Sequence, residues 1–221
     1  ARLRGRGAPL LRFPSLQPRA DVLGPLPLIE HLQAFRYPLS GEFGGDMDTL
    51  AKFALPSGWG LEIAMLAEVQ RALAAEQMCQ VDLGFHFEHR HRSMESGGAG
   101  HETGLLAAAT EVARSLFHQV MMDAGHRGGG ELLRVVLPRY ETRAQEWLRR
   151  YEHLSLINGL SHDREAEREV VRAFSQALAQ LVGSHPDSRQ MKPQGVRPGV
   201  RAVLGAAPQL RQKLIQAAIA I

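Results

Sequence analysis

The sequence predicts an α/β chain, with a few strands of a mixed sheet followed by a largely helical tail. Three observations predict it. Between Cys79 and His89 apolar and polar residues alternate, Val81, Leu83, Phe85 and Phe87 against Gln80, Asp82, His86 and Glu88, the period-two pattern of a half-buried strand. From Arg36 to His91, two glycine-marked corners, Ser40-Gly41-Glu42 and Gly58-Trp59-Gly60, bracket apolar segments. Beyond His101 the apolar residues recur at helical spacing.

Residues 1–24 read as an irregular basic segment. Gly5 and Gly7 with Pro9, Pro14 and Pro18 discourage regular elements, and Arg2, Arg4, Arg6, Arg12 and Arg19 have no acid among them. The prolines also interrupt the amphipathic helix of a transit peptide. Opening on Ala1, the chain reads as the later part of a longer protein.

Residues 25–100 are expected to form the α/β part. Pro25 and Pro27 suit the start of a short helix through Phe35, after which Tyr37-Pro38 forces an extended backbone into the first corner. Asp46 or Asp48 caps a helix through Leu50 and Phe53 that ends before Pro56. Leu61 to Leu73 carries a helical stripe at Leu61, Met65, Leu66, Val69 and Leu73, and the glycines just before it let backbone amides at the helix start face a ligand. The strand follows, then a glycine-rich loop from Ser93 to Gly100.

Residues 101–183 form a helical region. His101 to Ala124 has Leu105, Val112, Leu116 and Val120 in register and Gly125 as C-cap; Glu131 to Tyr151 makes one or two helices around Pro138. Asp163 to Val182 is amphipathic, with Val170, Phe174, Leu178 and Leu181 inward. Residues 184–221 are a linker followed by a terminal helix, Leu204 to Ile221, interrupted at Pro208.

Composition bounds the function. At 221 residues with 44% apolar and 22% charged residues, the chain suffices for one core and an appendage. It has no run of about 18 apolar residues to cross a membrane. The single cysteine, Cys79, excludes an internal disulfide and a cysteine-based zinc motif, and the cytoplasm is the expected compartment. Net charge is +3, and Lys52, Lys192 and Lys213 are the only lysines. Such arginine bias fits either phosphate recognition or the base composition of the genome. The dense basic stripe of a nucleic-acid binder is missing.

Chemistry concentrates at a few positions. His89 and His91, two apart at the strand end, lie on one face and can approach one ion or phosphate, with Arg90 between them. The alternative is a solvated strand end. Glu62 falls in the first turn of its helix, where the dipole favours a carboxylate; it can equally face a cleft and bind sugar hydroxyls. Glu42 carries the same two readings. Trp59 either stacks on a sugar or belongs to the core. Asp46-Met47-Asp48 spells a D-x-D able to hold a metal-bound nucleotide, yet helix capping accounts for both carboxylates. No H-E-x-x-H, serine or cysteine nucleophile motif, P-loop or Rossmann fingerprint occurs.

Taken together, PLSGEF (38–43), GWGLEI (58–63) and QVDLG with EHRH (80–91) resemble the glucosyl-3-phosphoglycerate synthases and related mannosyl enzymes, retaining glycosyltransferases of GT-A fold. In that family P-L-x-G-E-Y/F is followed by G-Y-G-V-E-I and by Q-V-N/D-L-G ending in H-R-N. The first two segments match in order and spacing, and the third carries one extra residue before its histidine. The resemblance implies the C-terminal part of a GT-A glycosyltransferase. It implies a donor-sugar pocket with Leu39, Gly41, Glu42, Trp59 and Glu62, the last as the catalytic glutamate. It implies His89 as ligand of a divalent metal, Mg or Mn, with Arg90 and His91 at the acceptor. His91 stands where the family has asparagine, and Trp59 where it has tyrosine. The metal-binding D-x-D of the family precedes these motifs, so Asp46-Met47-Asp48 is not that element; the acceptor-binding G-R-V-T is echoed only by Gly5-Arg6.

The resulting expectation is hexose transfer, to 3-phosphoglycerate or a related glycerate, from a nucleotide-sugar donor. The competing expectation is a non-catalytic interaction module that forms a homodimer through the 163–182 helix and the final apolar run, LIQAAIAI.

Overall fold

The computed structural model describes residues 27–35, 38–39, 41–81, 104–123, 129–184, 193 and 195–219. In chain order its helices are α1 (Pro27–Ala34), α2 (Met47–Leu50), α3 (Leu61–Ala72), α4 (Leu105–Asp123), α5 (Gly129–Ile157), α6 (Arg164–Ser184), α7 (Val200–Ala206) and α8 (Gln209–Ile219), with a 3-10 turn at Ala75–Gln77.

The expected α/β sheet is corrected by this architecture: among the described residues there is no strand, and the one extended pairing is an isolated antiparallel bridge between Leu55 and Arg197. The physical reason lies in how the apolar stripes are buried. The segments expected to cover a sheet cover one another instead, helix to helix. Of the predicted strand, Cys79 to Val81 runs without regular structure, and Val81 is 71% exposed. Residues 82–89 lie outside the described residues.

Helix α4 is the centre of the core. Val112, Ala113, Leu116, Phe117, Val120 and Met121 are buried along it, a stripe wide enough for contacts with α1, α3 and α6. Leu28 and Leu32 of α1 and Ile63 and Ala67 of α3 meet it from one side. Val171, Phe174, Leu178 and Leu181 of α6 close the other, together with Tyr140, Ala144 and Leu148 of α5. The inner face of α6 is thus centred on Val171 and Phe174, with Val170 only partly buried at its edge.

Local chemistry fixes the helix ends. Helix α5 runs unbroken through Pro138. It stops at Gly159, whose φ of 63° is left-handed, with the Leu160 N–H returning to the Ser155 carbonyl at 2.8 Å. Asp163 then caps α6 by accepting the Ala166 N–H at 3.0 Å. Arg164 forks onto Glu152 of α5 at 2.6 Å, which holds the Glu152 carboxyl below its usual range and ties the two helices at their junction.

The stretch after residue 193 returns to the first half of the chain. The Arg197 N–H donates to the Leu55 carbonyl at 3.0 Å and the Arg201 N–H to the Ala51 carbonyl at 2.8 Å. Gly199 makes this approach possible, because a Cβ there would stand 2.6 Å from the Ala51 oxygen. The segment therefore straps the loop that leads into the second glycine corner.

Candidate functional site

The first glycine corner meets the start of α3. Gly41 has φ 79°, a left-handed conformation that glycine adopts without strain. The turn it makes after Pro38 and Leu39 carries the chain past the start of α3. A Cβ placed on Gly41 would lie 3.9 Å from Oε1 of Glu62. Glu62, in the first turn of α3, is half-buried and directs its carboxylate towards that corner. Leu39 is partly buried against the core and anchors the approach.

The second corner is held from behind. Oε2 of Glu111 accepts the Trp59 N–H at 2.7 Å, and the buried Ser115 Oγ donates to the Gly60 carbonyl at 3.0 Å. Gly60 is needed for this contact, since a Cβ there would sit 2.6 Å from the Ser115 Cβ. One helical turn further along α4, Gln119 accepts from Arg71 at 2.8 Å, and Arg71 also lies 3.7 Å from Asp123. Glu111, Ser115 and Gln119 thus form a polar stripe at four-residue spacing that stitches α4 alongside α3, the two running in the same direction. On the far side α1 buttresses α3, and burial lowers the pKa of His31.

Trp59 is 42% exposed, so its ring is open to solvent beside the corner. Glu42 and Gly41 are exposed. The structure therefore brings Gly41 and Glu62 together, with Trp59 three residues before Glu62 in sequence and Leu39 partly buried against the core. His89, Arg90 and His91 lie outside the described residues.

Asp46 acts as a cap. Its Oδ2 accepts both the N–H and the hydroxyl of Thr49 at 2.8 Å, and these bonds hold its pKa below the ordinary aspartate value. Among the described residues no three His, Cys, Asp or Glu side chains gather to hold a metal ion. The described part of the site thus does not by itself fit a divalent cation.

Glu111 and Ser115 escaped the sequence reading. The signal was present: in a helix read for its apolar stripe, three polar residues recur every four positions on a side that is largely buried.

Two curated relatives match the chain. It is 31% identical over 212 residues to the glucosyl-3-phosphoglycerate synthase of Methanococcoides burtonii, covering 96% of this chain and 49% of that protein. It is 33% identical over 220 residues to the glucosyl-3-phosphoglycerate synthase of Persephonella marina, covering 98% of this chain and 52% of that protein. The chain thus spans about half the length of the curated relatives it matches. No family model matches, and no solved structure does. Across nearly its whole length the chain is similar to glucosyl-3-phosphoglycerate synthases. Among the described residues no helix is long and apolar enough to cross a membrane.

Proposed function

We propose that the chain contributes the acceptor-side part of a retaining hexosyltransferase, which moves glucose from a nucleotide sugar to 3-phosphoglycerate or a related glycerate. The observation that carries this reading is the approach of Glu62 to Gly41, two residues from the separate motifs on which the resemblance to the synthases rests. Similarity over 96% of the chain supports it.

In this reading the Glu62 carboxylate accepts hydrogen bonds from hydroxyls of the transferred hexose. A charged acceptor in a partly desolvated site fixes the ring strongly. Gly41 leaves the space in front of that carboxylate open, and the indole of Trp59 supplies an apolar face for the sugar. Arg90 and His91 hold the acceptor's phosphate or carboxylate as cations, and its hydroxyl attacks the anomeric carbon from the leaving-group side. The new glycosidic bond forms as the bond to the nucleoside diphosphate breaks, and the acceptor's proton leaves with the departing diphosphate. Electrostatic positioning is the main contribution of the protein. His89 is assigned to a divalent metal, Mg or Mn, by the resemblance alone, and no step here is derived through it.

The test is turnover by the full-length protein. UDP-glucose or GDP-glucose with 3-phosphoglycerate should release the nucleoside diphosphate and yield a phosphorylated glucosylglycerate. Neither binding nor release with either donor would overturn the reading. A second reading, an interaction module, draws on the exposed Val203, Leu210 and Ile215 of α7 and α8. Light scattering before and after deleting residues 200–221 decides it, since an unchanged mass removes the argument.

A further inference from the structure

The geometry points to Glu111 as the positioning residue of the Glu62 site, acting through the backbone amide of Trp59; this rests on the sugar-transfer reading of that site. Helix α3 begins at an N-cap that has no side chain, Gly60, and no side-chain cap bond is made there. A helix end of this kind attracts carboxylates, both through its unpaired N–H groups and through its dipole. Two carboxylates are within its reach. One is Glu62, in the first turn of the helix itself. The other is Glu111, presented 52 residues later by α4, and it takes the Trp59 N–H at 2.7 Å.

A carboxylate bonded to a backbone N–H is about twice as strong as a neutral pair, so Glu111 fixes the turn immediately before the cap. Glu111 thus holds the residue before the N-cap, while Glu62, in the first turn that follows, places Oε1 3.9 Å from where a Cβ on Gly41 would lie. Ser115 holds the same turn two peptide groups further on, by donating to the Gly60 carbonyl. A small cleft bounded by Pro56, Gly58, Gly60, Glu111, Arg114 and Pro193 lies directly behind the turn. Loss of the Glu111 carboxylate opens space there, into which the turn can relax.

The consequence is transmitted to two residues together. Trp59 is moved through its own amide, and Glu62 through the first turn of α3. A shift of about 1 Å in a substrate-positioning group costs on the order of a hundredfold in rate. Glutamine at position 111 keeps an acceptor oxygen at the same reach, while it loses the charge and exchanges the second oxygen for an NH2 donor.

The experiment uses the full-length protein labelled with 5-fluorotryptophan, the Trp59 resonance being assigned by its loss in Trp59→Phe. Fluorine NMR then reports the turn without reference to activity. Glu111→Ala is expected to displace the Trp59 resonance and to lower kcat/KM for UDP-glucose or GDP-glucose by roughly a hundredfold. Glu111→Gln is expected to restore the resonance and most of the turnover. Circular dichroism monitors folding, and if the alanine variant does not fold, the glutamine variant decides alone. A Trp59 resonance displaced in Glu111→Gln with turnover unchanged overturns the proposal. So does a folded Glu111→Ala protein in which both readouts match the wild type. Glu62→Ala separates the two readings: full turnover in that variant removes the sugar-site reading, while the Trp59 displacement in Glu111→Ala still measures the hold of Glu111 on the turn.

Discussion

Gly41 and Glu62 come from separate motifs, yet a Cβ on Gly41 would stand 3.9 Å from the Glu62 carboxylate oxygen. The distance is ordinary contact, so space does not exclude a side chain at position 41. The backbone does, through its φ of 79°. Gly41→Ala is therefore expected to destabilise the fold by about 1–2 kcal/mol, the strain of a left-handed alanine. Chemical denaturation would measure it, and an unchanged midpoint would mean that the corner relaxes to negative φ.

Glu62→Ala removes a charged acceptor from the sugar. Hydrogen bonds to charged groups contribute about 1.5–3 kcal/mol, so kcat/KM for the nucleotide sugar should fall roughly 10- to 150-fold. The glutamine variant should fall less. Steady-state kinetics on the full-length protein checks both, and an alanine variant with wild-type kcat/KM would take Glu62 out of the site.

The close approaches at Gly60 and Gly199 make separate stability predictions. A methyl at Gly60 meets the Ser115 Cβ at 2.6 Å, and one at Gly199 meets the Ala51 carbonyl oxygen at 2.6 Å. Either alanine substitution should cost about 1–3 kcal/mol by overpacking. At roughly 2–4 °C per kcal/mol, a calorimetric Tm drop should be plain. Combining Gly60→Ala with Ser115→Gly should cost less than the sum of the two single changes, because the partner that blocks the methyl has been removed.

Acid should release the Asp46 cap at lower pH than an ordinary aspartate. Its folded pKa lies below the ordinary 3.8, chiefly through the hydroxyl of Thr49 and then its N–H. A depressed folded pKa means that the ionised cap stabilises above the unfolded value and is lost as pH falls through the folded one. The Thr49 amide shift in NMR should titrate with a midpoint below 3.8; a midpoint at or above that value would contradict the cap.

The assignment of His89 predicts metal dependence. Chelation should abolish turnover, and His89→Ala should raise the Mn concentration needed for half activity by about tenfold or more. Activity that survives chelation, or an unchanged Mn response in the variant, would release His89 from this role.

What the sequence alone determined was local. The helix from Leu61, the capping of a short helix by Asp46 or Asp48 and the inner face around Phe174 and Leu178 all depend on residues within a turn or two. Spacing and backbone sterics suffice to read them. The alternation after Cys79 was equally local, but a strand requires a partner edge, and the described residues bury their apolar stripes between helices instead. Tertiary structure alone decided that Glu62 faces Gly41 and that Glu111 holds the Trp59 amide. Those pairs depend on which helix lies beside which, a choice made by the burial of the whole apolar set around α4. A polar residue on that helix therefore reads as exposed or structural until the helix next to it is known.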